Sequence, residues 1–154
     1  TNDKFGSKTS EIGLLAVQAG TEATFQFRFV ESGTNSEVAP MSLMISVLDL
    51  DQGKKGKQRE SFQMCGGGGA IITDDSEVEV TTSGDCTTVT STTAGNGRDN
   101  PETVTGMSQM QRARTAAFPV TGSSFTAKLA VTKKGHNPRR FMFTGHPSVA
   151  CVLK

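Results

Sequence analysis

Five side chains have the types and spacing of a site for a hard cation. Asp49 and Asp51 lie one residue apart at the end of the alternating apolar segment SLMISVLDL, and Glu60 follows the glycine- and lysine-rich loop after them. Asp99 and Asn100 lie in a second turn-like segment, AGNGRDNP. Calcium prefers carboxylate and amide oxygens as ligands. We therefore take Asp49, Asp51, Glu60, Asp99 and Asn100 as candidate calcium ligands.

The loop that begins at Asp49 does not predict an EF-hand. Counted from Asp49, carboxylates fall at positions one, three and twelve, but Lys54 takes position six, where an EF-hand requires glycine. Two other interpretations of these residues are consistent with the sequence. One is a calcium site formed by loops at one end of a β-sandwich, and the other is a structural role, in which Asp49 and Asp51 pair with Arg59 and Arg98. The structural role is favoured by the cations of the same loop, which would repel a divalent ion: Lys54, Lys55, Lys57 and Arg59.

Basic residues form two clusters that we consider as a docking surface for an acidic partner. The first cluster comprises Lys54, Lys55, Lys57 and Arg59, and the second comprises Lys133, Lys134, Arg139 and Arg140. The alternative is that both are solvated hairpin loops. The net charge is only +1, and no Trp or Tyr is present to interleave with the basic residues. Nucleic acid is therefore not expected as a partner.

No motif in the sequence predicts catalysis. The glycine run CGGGGA at 65–70 lacks the GK[ST] ending of a phosphate-binding loop. His136 and His146, the two histidines, lie in turn-like segments without a carboxylate at metal-ligand spacing. There is no GxSxG motif and no Cys close to a His in sequence. We therefore expect a protein that is not an enzyme.

The elements that would position these residues are predicted to be β-strands. Segments such as ATFQFRFV (23–30) and SFTAKLAV (124–131) alternate apolar and polar residues, as half-buried antiparallel strands do. Turn-forming residues separate about ten such segments, which indicates a single all-β domain over residues 1–154, an antiparallel β-sandwich of jelly-roll type. We expect Phe25, Phe27 and Phe29 in the core. One short helix is predicted near 107–114, with Ser108 as its N-cap.

Three cysteines and short apolar runs bear on the compartment. Cys65, Cys86 and Cys151 allow either one disulfide, with Cys65–Cys86 as the preferred pair, or a set of buried thiols. The longest apolar runs are about five residues, against the ~20 that a transmembrane helix needs, so no transmembrane segment is expected. Because the chain begins at Thr1 rather than Met, we expect that a targeting segment has been removed.

The segments LDLDQG, RESF and AGNGRDNP occur together in a pattern that resembles a group of β-sandwich modules. Those modules belong to uncharacterised proteins of algae, dinoflagellates especially, that are predicted to be secreted or targeted to organelles. The resemblance runs from about Phe25 to Phe143 and implies an extracytoplasmic module, with the five candidate calcium ligands as pattern positions. Leu48 and Leu50 stand where those modules tend to carry aromatics, so the resemblance implies no sugar-stacking role.

We therefore predict a non-enzymatic structural or binding module. It would act as an accessory subunit that docks onto a larger protein assembly, for example on the lumenal side of a photosynthetic membrane complex. The alternative is a calcium-dependent module that binds a ligand or carbohydrate through the Asp49/Asp51 loop. A docking subunit should co-purify with a large complex and show no ligand-dependent melting shift, whereas a calcium module should melt at a higher temperature with calcium.

Overall fold

The computed structural model describes residues 12–40, 42–132, 135 and 137–147, and every structural statement below refers to these residues. They form nine β-strands, one α-helix and a short 3₁₀ turn at Lys54–Gly56. The strands are β1 Gly13–Gln18, β2 Glu22–Arg28, β3 Leu43–Leu48, β4 Glu60–Cys65, β5 Val78–Ser83, β6 Cys86–Ser91, β7 Ala116–Val120, β8 Ser124–Val131 and β9 Pro138–Pro147, and the helix is α1 Gln109–Ala113.

The strands build two antiparallel sheets that face each other. One sheet has four strands in the order β1-β9-β3-β7, and the other has five in the order β2-β8-β4-β6-β5. Apart from β4, β5 and β6, consecutive strands alternate between the two sheets, which is the connectivity of a jelly roll. The predicted all-β sandwich is confirmed. The expected strand at 70–73 is only a single bridge between Ile71 and Ala117, and the segment 148–153 lies outside the described residues.

The core lies between the sheets because apolar residues alternate along the strands. On β8, Phe125, Ala127, Leu129 and Val131 are buried, whereas the residues between them face outward. The largest fully buried side chains include Phe118 of β7 and Phe141 of β9, which are 0% and 1% exposed. This packing fixes the ends of the strands, from which the polar loops extend.

Phe25, Phe27 and Phe29, which we expected in the core, do pack against it. These rings are only partly buried and pack against the core from its margin. The reason is that β2 is an edge strand whose one neighbour is β8. Phe27 stacks on Phe125 of β8, with ring centroids 4.7 Å apart. Alternation identified the inward face of β2, but alternation does not reveal whether a strand is central or lateral.

The predicted short helix is present as α1. Ser108 caps it, because the Ser108 hydroxyl accepts a hydrogen bond from the Gln111 backbone N–H and the Gln111 side chain accepts one from the Ser108 N–H. The helix is five residues long, and no helix among the described residues is long and apolar enough to cross a membrane. Its end delivers Arg114 into the interior, where this arginine is 5% exposed.

Cys65 and Cys86 form a disulfide between neighbouring strands. They are direct register partners at the ends of β4 and β6, with Cα atoms 4.0 Å apart. This is the pair that the sequence analysis preferred, and Cys151 lies outside the described residues. The bond links the two strands at the end of the sheet opposite Glu60, because Glu60 is the first residue of β4 and Cys65 is the last.

Four strand ends meet at the Glu60 end of the sandwich. The end of β3 and the start of β9 lie there because these strands are antiparallel neighbours. The start of β4 and the end of β6 lie there for the same reason. The loops 49–59 and 92–100 therefore emerge side by side, and β9 begins beside them at Pro138.

Candidate functional site

A pocket of about 420 Å³ opens at this end of the sandwich. It is lined by Asp49, Asp51, Glu60, Asn96, Gly97, Asn100, Asn137, Pro138, Arg139 and Arg140. Of the five candidate calcium ligands, all but Asp99 line it. Asp99 lies next to it, since one carboxylate oxygen from each of Asp49, Asp51 and Asp99 lies within 4.8 Å of the others. The fold thus brings together the residues that sequence spacing left on two separate loops.

Asp49 is held in place by its buried neighbours. Leu48 and Leu50 are 1% and 0% exposed, so the chain cannot rotate freely between them. The Leu50 backbone N–H donates to the Arg114 carbonyl at 2.9 Å. Asp49 itself has a left-handed backbone with φ of 57°, a conformation that Asp tolerates better than most residues. This turn ends β3 and directs the chain into the loop.

The 92–100 loop approaches Asp51 closely because Gly95 has no side chain. A Cβ atom at Gly95 would lie 1.9 Å from Oδ2 of Asp51, which is far inside van der Waals contact. Backbone hydrogen bonds hold the two loops together, from Gln52 N–H to the Thr93 carbonyl at 2.8 Å and from Gly95 N–H to the Gln52 carbonyl at 3.1 Å. The close approach keeps Asp99 near the carboxylates of the 49–59 loop.

Arg139 is the cation that pairs with the 49–59 loop. Its Nε donates to Oε1 of Glu60 at 2.6 Å, and its Nη2 donates to Oδ1 of Asp51. The predicted pairing of Asp49 and Asp51 with Arg59 and Arg98 was therefore wrong. Arg59 instead donates to the Ser91 carbonyl and forms an ion pair with Glu79 at 3.5 Å. The sequence analysis looked for nearby partners, whereas Arg139 lies 88 positions after Asp51.

Arg114 forms a second ion-pair cluster beside the first. Its Nε donates to Glu77 and its Nη1 to Asp99, both at 2.8 Å, and its Nη2 donates to the Ala94 carbonyl at 3.2 Å. Although burial alone would lower the pKa of Arg114, its hydrogen bonds to Glu77 and Asp99 raise it. Hydrogen bonds from Thr93 and Arg114 lower the pKa of Glu77. The sequence analysis missed Arg114 and Glu77, which no local pattern connects.

Asp49 has no such partner. The residue is 6% exposed, and no hydrogen bond or ion pair from the described residues reaches its carboxylate. Burial and the charge of Asp99 raise the pKa of Asp49 from 3.8 to about 6, against the opposing influence of Arg114 and Arg139. The carboxylate borders the pocket, which is the one direction from which a compensating charge can approach.

Burial also disfavours the charged forms of Glu60 and Arg139. Burial, and then the charge of Asp49, raise the pKa of Glu60 from 4.5 to about 9. Burial lowers the pKa of Arg139, with only Asp49 opposing this effect. The cluster contains more carboxylates than its one guanidinium neutralises.

The structure describes six of the eight predicted docking residues, and these six differ in exposure. Lys54, Lys55 and Lys57 are exposed, Arg59 is half-buried, and Lys133 and Lys134 lie outside the described residues. The guanidinium of Arg139 is engaged by Asp51 and Glu60. Arg140 is exposed at the pocket, and its guanidinium makes no hydrogen bond or ion pair with a described residue.

The lining residues determine what chemistry the pocket can support. Titratable groups do converge in it, as they would in an enzyme. A general acid, however, must present its proton to a substrate, and Glu60 is 1% exposed with its oxygens turned to Arg139 and to the Asp51 backbone N–H. The described lining residues include no hydroxyl, thiol or imidazole group that would serve as a nucleophile.

No protein-family model, curated protein or solved structure matches this chain. What the pocket binds must therefore be inferred from its own residues.

Proposed function

We propose that the protein is a non-catalytic, calcium-dependent binding module whose cation site is the pocket around Asp49. The observation that carries this proposal is the Asp49 carboxylate, which opens to the pocket, has no hydrogen bond or ion pair with a described residue, and has oxygens of Asp51 and Asp99 within 4.8 Å. Calcium binds oxygens at 2.3–2.6 Å, so oxygens up to about 5 Å apart can share one ion. A divalent cation would supply the positive charge that no side chain bonded to Asp49 provides.

The donor set favours calcium over transition metals. Asp49, Asp51 and Asp99 offer carboxylate oxygens, and the described lining residues include no thiolate or imidazole. The side-chain N–H of Asn100 donates a hydrogen bond to the Met142 sulfur at 3.8 Å, which leaves the side-chain oxygen of Asn100 for an ion. Water completes the six to eight ligands that calcium takes.

The charge balance supports a cation. Across both clusters, Arg114 and Arg139 face the carboxylates of Asp49, Asp51, Glu60, Glu77 and Asp99. Raised pKa values at Asp49 and Glu60 show where the remaining negative charge is least tolerated. Arg139 is positive, yet it contacts only one oxygen of Asp51 and leaves Asp49 unbonded.

Calorimetric titration of calcium into chelator-treated protein tests this function. We expect one saturable site, and we expect Asp49→Asn to abolish it because the amide carries no charge. Asp74→Asn is the matched control, since Asp74 is exposed and lies outside the pocket. An absence of binding heat, or equal binding by Asp49→Asn, would show that the pocket is not a calcium site.

The exposed lysines support a second proposal, which is docking onto a larger assembly in an extracytoplasmic compartment. Lys54, Lys55 and Lys57 are all exposed on one loop, and the Cys65–Cys86 disulfide favours an oxidising compartment. In this case the protein should co-fractionate with a large complex from its source cells with or without chelator. The triple variant K54Q/K55Q/K57Q should then elute as the free domain. Elution of the unaltered protein as the free domain would exclude docking.

A further inference from the structure

We propose that the bound cation and Arg140 together form a two-point site for a small saccharide that carries a carboxylate, such as a uronate. This inference rests on the proposed calcium site and names its ligand. The pocket of about 420 Å³ falls within the size range of small-molecule sites, about 300–1,000 Å³, and far exceeds the space that one ion needs. Most of the pocket is therefore left for a ligand above the ion.

The lining of the pocket selects for a ligand that is polar on all sides. Three asparagines line it, Asn96, Asn100 and Asn137, although the Asn96 side-chain oxygen already accepts from the Arg98 backbone N–H and the Asn100 side-chain N–H already donates to the Met142 sulfur. Each amide carries both a donor and an acceptor, which suits hydroxyl groups. No aromatic ring is among the described lining residues, so an apolar or stacking ligand gains little there. A small molecule rich in hydroxyl groups meets these conditions.

Arg140 adds a requirement for negative charge. Successive residues of a strand point to opposite sides, so Arg139 turns towards Asp51 and Glu60 while Arg140 is exposed at the rim. The guanidinium of Arg140 has no hydrogen bond or ion pair with a described residue. A guanidinium presents two parallel N–H donors that match a carboxylate. One unengaged guanidinium suits a single negative charge better than the double charge of a phosphate ester.

The cation makes this binding conditional. Without it, Asp49 and Asp51 give the pocket a negative floor that repels a carboxylate. With calcium bound, the floor becomes a Lewis-acidic site that a carboxylate or hydroxyl oxygen can enter as a ligand. The negative floor and the positive rim therefore predict that calcium and the uronate bind together, and that the uronate does not bind alone.

The test is a nuclear magnetic resonance titration of the whole chain with galacturonate, at saturating calcium and again in chelator. We expect saturable shifts only with calcium. Neutral galactose should bind about tenfold more weakly or worse, because it forms no charge-assisted hydrogen bond. Arg140→Gln should weaken galacturonate binding by a similar factor and leave calcium affinity nearly unchanged. Arg28→Gln is the matched control, because Arg28 is exposed on β2 and lies outside the pocket.

The outcomes separate this inference from the function on which it rests. Calcium binding without any galacturonate shift overturns the inference and leaves the calcium site intact. If galacturonate binds as tightly in chelator as in calcium, the cation does not bridge the ligand to the protein. If galactose binds as tightly as galacturonate, or if Arg140→Gln binds galacturonate as tightly as the unaltered protein does, the site does not recognise the negative charge. A failure of calcium itself to bind overturns both proposals.

Discussion

Two neighbouring clusters use the same residue types and differ in how completely their charges are paired. In the Arg114 cluster, the guanidinium lies between Glu77 and Asp99 with both contacts at 2.8 Å. In the Asp49 cluster, Arg139 contacts Asp51 and Glu60, and Asp49 has no bonded partner among the described residues. The pKa shifts have opposite signs. The pKa of Glu77 is lowered, whereas the pKa values of Asp49 and Glu60 are raised to about 6 and about 9.

The difference separates a structural role from a binding role. A paired and hydrogen-bonded buried charge stabilises the packing around it, and nothing further is required of it. A partly desolvated carboxylate without a bonded partner has a raised pKa, and such a shift is typical of binding sites. The Arg114 cluster therefore anchors the loops, whereas we propose that the Asp49 cluster binds a cation. Each prediction below changes one cluster and compares it with the other.

The largest effect is expected from Arg114→Ala. This change leaves Glu77 and Asp99 without their shared partner, and removal of one member of a buried ion pair costs about 3–5 kcal/mol. Urea denaturation measures the loss of unfolding free energy. Arg98→Ala is the control, because Arg98 is exposed and a surface substitution changes stability by about 0.5 kcal/mol or less. A loss below about 1 kcal/mol for Arg114→Ala would contradict its anchoring role.

Arg139→Ala should cost less, about 1–3 kcal/mol. The side chain of Arg139 is 25% exposed and that of Arg114 only 7%, so solvent screens the ion pairs of Arg139 more strongly. The same urea experiment gives the comparison. If Arg139→Ala destabilises the protein as much as Arg114→Ala does, the two clusters do not differ as we describe.

The sequence was sufficient to predict what depends on local spacing. The alternation along β8 identified its inward face, and Ser108 and Gln111 have the spacing of a capping box. What it could not reveal depends on strand order. Arg139 reaches Asp51 across 88 positions only because β9 lies beside β3, and no local signal encodes that neighbour. For the same reason, the sequence did not reveal that Phe27 lies on an edge strand.

The sequence predicted which residues are candidate ligands, but it did not predict their hydrogen-bond and ion-pair partners. Carboxylates and amides in two turn-like segments indicated a site near Asp49 and Asp99, and the fold brings their oxygens within 4.8 Å of each other. The lack of a partner at Asp49 is a property of burial and packing, which a sequence pattern does not contain. This lack distinguishes a binding site from a salt-bridged loop.

Stability without calcium should fall as the pH rises from 6 to 9. An acid whose pKa is raised by folding binds its proton more tightly in the folded state, so folding loses free energy as the pH rises from the unfolded pKa to the folded one. For Glu60 these values are 4.5 and about 9. Urea denaturation in chelator at several pH values measures the slope. Glu60→Gln should flatten it above pH 6, and an unchanged slope in that variant would contradict the raised pKa of Glu60.

The most direct test of the Asp49 site is a thermal melt of the unaltered protein and of Asp49→Asn, each in chelator and in excess calcium. In chelator the variant should be more stable, by about 1–3 kcal/mol, because it removes a buried charge that folding holds at an unfavourable pKa. In calcium the order should reverse, since about 1,000-fold excess over the dissociation constant stabilises the unaltered protein alone by ~4.1 kcal/mol. Asp74→Asn serves as the control and should melt like the unaltered protein in both conditions, because Asp74 is exposed and lies outside the pocket. If Asp49→Asn is less stable in chelator and calcium shifts both proteins equally, Asp49 is an ordinary structural carboxylate and the calcium site is wrong.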